Sequence, residues 1–305
     1  MLFCEHVSRN CVCLNEKVMA SLTGIAFRAH FFYFHTASNV KLFLSCMSFS
    51  RLSYSIDRRI CSISLSRPEK RNALDDLLVD ELIRAFLNAS KESDVKVIVL
   101  SGEGKAFCAG ADLAYLQKLS AYDFNQNLED SKDLMRLFHL IYTMRKPVIA
   151  KVNGAAIAGG CGLATVCDLV VASEDSTFGY TEVSIGFIPA IVMTFLVRRI
   201  GEGRARELAL TGKILDAKEA HMLGIVNEIV PASGLDARVR EIAESLCING
   251  SASSMGLIKE MFSKMDGLNF SDLLEYAANM NAAIRMSEDG KKGIASFIKK
   301  EKLKW

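Results

Sequence analysis

The stretch VNGAAIAGGCGLATVCD (residues 152–168) decides how this chain is to be read. Its only charged side chain is the closing Asp168, and four glycines and four alanines fill half of the rest. KPVIAKVNG, which runs into it, is the β-branched, apolar run of a buried parallel strand. AAIAGGCGLATVCD then reads as the start of a helix. Glycine in a helix interior costs about 1 kcal/mol relative to alanine, so Gly159, Gly160 and Gly162 need a cause. Two causes are open at this point. One is tight packing of the helix on a sheet. The other is removal of side chains so that a ligand oxygen can reach backbone N–H groups at the positive end of the helix.

Strand and helix alternate on both sides of this segment. SYSIDRRICSISLSR (residues 53–67) reads as a hairpin of two alternating strands around Asp57-Arg58-Arg59. Leu74, Leu78, Leu82, Val79 and Phe86 mark an amphipathic helix. VKVIVLSGEG (residues 95–104) is a second buried strand, a helix is expected over 133–142, and CDLVVASEDSTFGY (residues 167–180) supplies a third strand. Beyond Pro231 the pattern is helical to a lysine-rich end. The fold class expected is α/β with βαβ crossovers.

Composition bounds the function. The 305 residues are 50% apolar and 24% charged, enough for a large core, and a net charge of +2 gives no broad basic field for nucleic acid or an anionic membrane. Nine cysteines are scattered without a CxxC or a zinc spacing, and Cys61, Cys108, Cys161, Cys167 and Cys247 sit in apolar runs, as buried thiols of a reducing compartment do. Residues 1–46 have aromatic clusters, few acids and no period. Their apolar runs are broken by Arg28, His30, His35 and Lys41, short of the ~18 residues of a membrane helix. They are expected to be a poorly structured extension, a transit peptide or an overlong start, ahead of a domain beginning at Met47.

SGEGKAFCAGADL (residues 101–113) is a second glycine- and alanine-rich loop directly after a strand. Two strand-to-helix loops stripped of side chains can each offer one N–H to the same oxygen, the layout that stabilises an enolate. No phosphate loop, GxSxG elbow or HExxH helix competes. His139, His221, Tyr115 and Tyr180 read as packing residues.

Over residues 53–305 the order and spacing of SRPEKRNALDDLLVDEL, GEGKAFCAGADL, KPVIAKVNGAAIAGGCGLATVCDLVVAS, FGYTEVSIGFIPA and LTGKILDAKEAHMLGIVNEIVP resemble the crotonase, or enoyl-CoA hydratase/isomerase, superfamily. The resemblance implies a crotonase-like spiral of ββα units over 47–235 and a helical oligomerisation region over 236–305 that builds trimers, often paired into hexamers. It implies acyl-CoA thioesters as substrates, no cofactor beyond the coenzyme A of the substrate, and a cytoplasmic protein, or a mitochondrial one if the extension is a transit peptide. The oxyanion donors it implies are the N–H groups of Ala111 and Gly159. Lys70, Arg71, Ala73, Ala109, Gly110, Asp112, Leu113, Gly160 and Gly162 are implied to line the substrate, and Phe297 and Lys300 to reach a neighbouring subunit's CoA.

Relatives with two catalytic carboxylates have a glutamate where this chain has Gly162. The other acid is present as Glu182, among Phe178, Tyr180, Val183, Ile185 and Phe187, an apolar setting that would raise its pKa toward that of a general acid/base. Hydration of a short-chain or methylglutaconyl-type 2-enoyl-CoA is the first expectation. Δ3-Δ2 isomerisation by a single carboxylate is the alternative, and a non-catalytic CoA-ester or RNA-binding scaffold is the reading from a different class.

Overall fold

The computed structural model describes residues 48–265 and 267–305, so the expectations for residues 1–46 lie outside the described residues. Among the described residues, ten strands form two sheets. β1 (Leu52–Asp57) and β2 (Ile60–Leu65) are the expected hairpin, closed by Arg58 and Arg59 with φ of 46° and 70°. β3 (Val97–Gly102), β5 (Val148–Val152), β7 (Leu169–Ser173) and β10 (Glu228–Val230) continue in parallel, giving the order β1-β2-β3-β5-β7-β10. β3 is buried along its whole length, as its β-branched run requires. A second sheet, β4-β6-β8-β9, is built from the three-residue strands Ala106–Cys108, Ala155–Ile157, Thr177–Gly179 and Ile214–Asp216.

Two expectations change here. Residues 155–157, read as the start of a helix, are strand β6; their small side chains suit either state, and pairing with β4 and β8 decides it. The single strand expected over 167–180 is two strands in two sheets. Between them the chain turns at Ser173–Ser176, where the two hydroxyls lie 2.8 Å apart and Ser176 donates to the Val152 carbonyl.

Helix α1 (Asp76–Lys91) is capped by Asp75, whose carboxylate accepts from the Leu78 amide at 2.9 Å. α2 (Leu113–Leu119) is short. α3 (Phe124–Thr143) extends well before the expected 133, because Asp123 and Gln126 make a capping box. α4 (Gly159–Thr165), α5 (Ala190–Ile200), α6 (Glu202–Thr211) and α7 (Ala217–Met222) follow. α8 (Leu235–Asn249), α9 (Ala252–Lys264), α10 (Phe270–Met286) and α11 (Glu288–Lys299) form the helical C-terminal part expected beyond Pro231.

The main core lies on one face of the large sheet, where Leu78, Leu82 and Phe86 of α1 meet Phe138 of α3 and Leu163 of α4. On the other face, Leu235, Val239 and Ala243 of α8 pack on Val97, Val99 and Ile149. Residues Phe49–Trp305 are one compact unit. Within it, α8 packs on the large sheet. All five cysteines of the apolar runs are buried free thiols, and among the described residues no helix is long and apolar enough to cross a membrane.

Because this unit closes its own cores, deleting residues 1–46 is expected to leave the melting temperature within about 2 °C and turnover within about twofold. Thermal unfolding and a rate assay on the truncated chain check this; loss of fold would show that the segment completes the unit.

Candidate active site

The glycines of the opening stretch fall into two groups. A Cβ on Gly160 would lie 2.1 Å from the Cys108 carbonyl oxygen, and one on Gly162 would lie 2.2 Å from Cγ1 of Val192. Both are buried, and both are packing glycines. Gly159 is different: a Cβ there meets only Leu74 Cδ1, at an ordinary 3.4 Å. As the first residue of α4 its N–H has no partner within the helix. Tight packing thus accounts for Gly160 and Gly162, while Gly159 stands in open space with its N–H unused.

Ala158, which caps α4, holds a φ of 51°. A left-handed conformation of this kind persists in a non-glycine residue only where its surroundings over-determine it. Here the Ala158 amide donates to the Gly179 carbonyl at 2.7 Å, and its own carbonyl accepts from Gly162 at 3.0 Å.

The second loop runs from β4 to α2. Gly110, with φ of 89°, sits so close to the first loop that a Cβ would come within 3.0 Å of the Ile157 carbonyl oxygen and 3.1 Å of Ala158 Cβ. The two loops therefore touch. Leu74 pairs with Ala111 as a parallel bridge: the Leu74 amide donates to Gly110 at 2.7 Å and the Asp112 amide to Leu74 at 2.8 Å. In that pairing the Ala111 N–H faces away from Leu74. Ala111 is exposed, and among the described residues no hydrogen bond uses its amide or that of Gly159. Two free N–H groups, one at a helix N-terminus, thus sit on touching loops.

Glu182 opens the 3-10 turn Glu182–Ile185, held by the Phe187 amide on the Glu182 carbonyl at 3.0 Å. The hydrogen bond from Ala158 to Gly179 fastens this segment to the start of α4, three residues before Glu182. The carboxylate is half-buried, and its Oε2 is buried without a hydrogen-bond partner. Burial raises its pKa above the ordinary glutamate range, against a smaller lowering by its own backbone amide. The cause differs in part from the one expected. Phe178 and Tyr180 are buried, but Val183, Ile185 and Phe187 are exposed in this chain. The Glu182 charge acts instead on Tyr180 and on Cys161 of α4, whose thiol is pushed up to about 12, chiefly by burial.

The remaining expected site residues divide. Lys70 and Arg71 are exposed beside the loops, and the Arg71 carbonyl accepts from Ala109 at 3.0 Å. Leu113 is 83% exposed at the head of α2, while Ala73 is buried. Asp112 offers no free carboxylate to a ligand: Oδ1 caps α2 through Ala114 at 2.9 Å and Tyr115 at 3.3 Å, and Oδ2 meets Arg67 at 3.1 Å. Burial pushes its pKa up, but the two amides and the Arg67 charge outweigh this and hold it low. Gly162 lines no open space either, since Val192 and Phe138 close over it. Phe297 and Lys300 end α11, whose hydrogen bonds run through Asp289 to Ser251 and Ser253, not to the two loops or Glu182. Tyr115 donates to Asp130, Tyr180 pairs with Thr165 at 2.8 Å, and His221 Nδ1 meets the Val226 carbonyl at 2.9 Å, as packing residues do.

Sequence reasoning missed Arg67, Asn72 and Val192. Asn72 is fully buried at φ 56°, accepts from the Arg67 amide and donates to the Glu103 and Ala106 carbonyls at 2.9 and 2.8 Å. An asparagine in a glycine-free turn was the available signal, because asparagine tolerates the left-handed region. Nothing local marks the pairing of Arg67 with Asp112, 45 residues on, or of Val192 with Gly162, 30 residues back.

The profile of the enoyl-CoA hydratase/isomerase family matches residues 55–305. A Thermus thermophilus protein that carries the enoyl-CoA hydratase name is 42% identical over 241 residues, 79% of this chain and 95% of its own. The crotonyl-CoA hydratase of Syntrophomonas wolfei is 31% identical over 258 residues, covering 84% of this chain and 98% of its own. The crystal structure of an enoyl-CoA hydratase from Shewanella pealeana superposes with a TM-score of 0.80 at 32% identity, covering 84% of this chain and 96% of that one. This chain belongs to the enoyl-CoA hydratase/isomerase family.

Proposed function

We propose that this enzyme hydrates a 2-enoyl-CoA, holding the thioester oxygen between the Ala111 and Gly159 amides and using Glu182 as its only proton carrier. The observation that carries it is the half-buried, unpartnered Glu182 carboxylate, fastened through Gly179 and Ala158 to a loop with a free helix N-terminal amide. Ionised Glu182 takes a proton from water as the water oxygen bonds to C3. The C2–C3 π electrons move onto the thioester oxygen as an enolate. The same carboxyl then delivers that proton to C2, the enolate collapses, and the net change is addition of one water. Both amides act on charge that develops at the oxygen, where preorganised donors are worth most. The relatives' hydratase names support this direction.

One observation favours a second reading. Val192 fills the space beside Gly162, so no second carboxylate comes from position 162. A single base also suffices to take a proton from C4 and return it to C2, moving a double bond through the same enolate. Rates on crotonyl-CoA and on a 3-enoyl-CoA, measured side by side, separate the two; a chain that binds both without turnover would be a scaffold.

For assembly we propose a homotrimer or a pair of trimers. α10 and α11 leave Phe270, Met286, Phe297 and Ile298 each at least 72% exposed, apolar side chains that neighbouring subunits can cover. Light scattering is expected to give a trimer or hexamer mass. Removing residues 293–305 should weaken CoA binding by about tenfold if Phe297 and Lys300 serve a neighbouring site. An active, well-behaved monomer would contradict both statements.

A further inference from the structure

One buried guanidinium joins the N-caps of two helices. Arg67, two residues after the end of β2, is 8% exposed, and its side chain is met by two aspartates. Nη2 donates to Asp112 Oδ2 at 3.1 Å. Nη1 donates to the Ala73 carbonyl at 2.5 Å and lies 3.0 Å from Asp75 Oδ2. The other oxygen of each aspartate is already committed, Asp75 Oδ1 to the first turn of α1 and Asp112 Oδ1 to that of α2. Arg51 adds a second cation to Asp75 at 2.5 Å, so the two carboxylates face two positive charges.

The position of this cluster gives it a consequence. Ala111 immediately precedes Asp112, and Leu74 immediately follows Ala73. Backbone hydrogen bonds from Leu74 grip Gly110 and Asp112 on either side of Ala111. Arg67 holds both ends of that grip, through the Ala73 carbonyl on one strand and the Asp112 carboxylate on the other. A guanidinium suits this task because its planar fork fixes direction as well as charge, whereas an ammonium fixes charge alone.

We propose that Arg67 is a positioning residue for the reaction: it aims the Ala111 N–H at the substrate oxygen through Asp112 and the Ala73–Leu74 backbone. This rests on the reading of Ala111 as an oxyanion donor. Arg67 itself touches no substrate, so its loss leaves binding largely intact and misdirects one donor. Complete loss of a donor costs about 10²–10³ in kcat, so misdirection is expected to cost about 10- to 100-fold.

The test is Arg67→Lys in the full chain, with kcat, KM and the thioester carbonyl stretch of bound, carbonyl-labelled crotonyl-CoA as readouts. Asp112→Asn, which keeps an oxygen for the α2 cap but loses the charge, replaces it if the lysine variant does not fold. In wild type the stretch should fall to lower frequency on binding. The variant is expected to lose most of that shift and 10- to 100-fold in kcat, with KM within about threefold. A purely structural role would lower the melting temperature and leave the carbonyl frequency alone. A folded variant with the wild-type shift and near-wild-type kcat overturns the role of Arg67 and leaves Ala111 as donor. Absence of the shift in wild type overturns the donor reading itself, and this inference with it.

Discussion

Replacing Glu182 by glutamine is expected to lower kcat by about two to four orders of magnitude while CoA-ester affinity stays within about tenfold, the range for loss of a general acid/base. The carboxylate is half-buried with Oε2 unpartnered, so the amide fits the same space and only proton transfer is lost. The stability effect should have the opposite sign. Burial raises the folded-state pKa of Glu182, so the ionised form is disfavoured by folding. Ionisation therefore destabilises the fold at pH above the ordinary glutamate value, and the penalty fades as pH falls through the raised folded pKa. At neutral pH the glutamine variant removes that charge and should melt at or above the wild-type temperature. The same shift places the acid limb of kcat/KM above the ordinary glutamate range, because the ionised form starts the reaction. Steady-state kinetics across pH, with thermal unfolding of both proteins, check all three outcomes. Activity within a factor of a few of wild type would remove Glu182 from the mechanism.

Much of the fold was legible because periodicity encodes burial. β3 and β5 read as buried strands from β-branched runs, and α1 read as a helix from leucines at the right spacing. The four short strands of the second sheet were not legible as a sheet. Three residues such as Ala155–Ile157 carry too little pattern, and only pairing across the chain with β4 and β8 makes them strand.

Within the site, backbone chemistry was easier to read than side-chain chemistry. Loops stripped to glycine and alanine announce exposed amides whatever their partners. The fate of Asp112 was hidden, because its capture by Arg67 spans 45 positions that only the folded chain brings together. The surroundings of Glu182 were hidden for a related reason. Adjacent apolar residues in sequence suggested a pocket, yet Val183, Ile185 and Phe187 point outward, and Glu182 is felt instead by Cys161 on another element.

Position 162 gives the second large effect. The resemblance places a second carboxylate there, and from sequence alone a glutamate would be expected to fold in the space a glycine leaves. The structure removes that space. A Cβ at 162 would stand 2.2 Å from Val192 Cγ1, 2.6 Å from Val192 Cβ and 3.1 Å from Phe138 Cε1. Real Cβ atoms do not approach carbon so closely, so α5 or the Phe138 ring would have to move. Overpacking of this kind costs about 1–3 kcal/mol, and an unpaired carboxyl in the same buried place costs at least as much again. Gly162→Glu alone is therefore expected to lower the melting temperature by at least about 4 °C or to fail to fold. Gly162→Ala should also destabilise, although alanine is the better helix former by about 1 kcal/mol. The conflict lies with Val192, and trimming it to alanine leaves the Cβ contact at 2.6 Å. Glycine at 192 removes both Val192 contacts and leaves only Phe138 Cε1 at 3.1 Å, so Gly162→Glu with Val192→Gly should recover part of the stability lost by the single change. In that double variant two carboxylates can hold and deprotonate water, and the ratio of crotonyl-CoA hydration to double-bond migration should rise at least severalfold, a lower bound set by one added general base. If the double variant is stable and the ratio stays the same or falls, a carboxylate at position 162 does not serve the reacting water and the position is no vacated acid site.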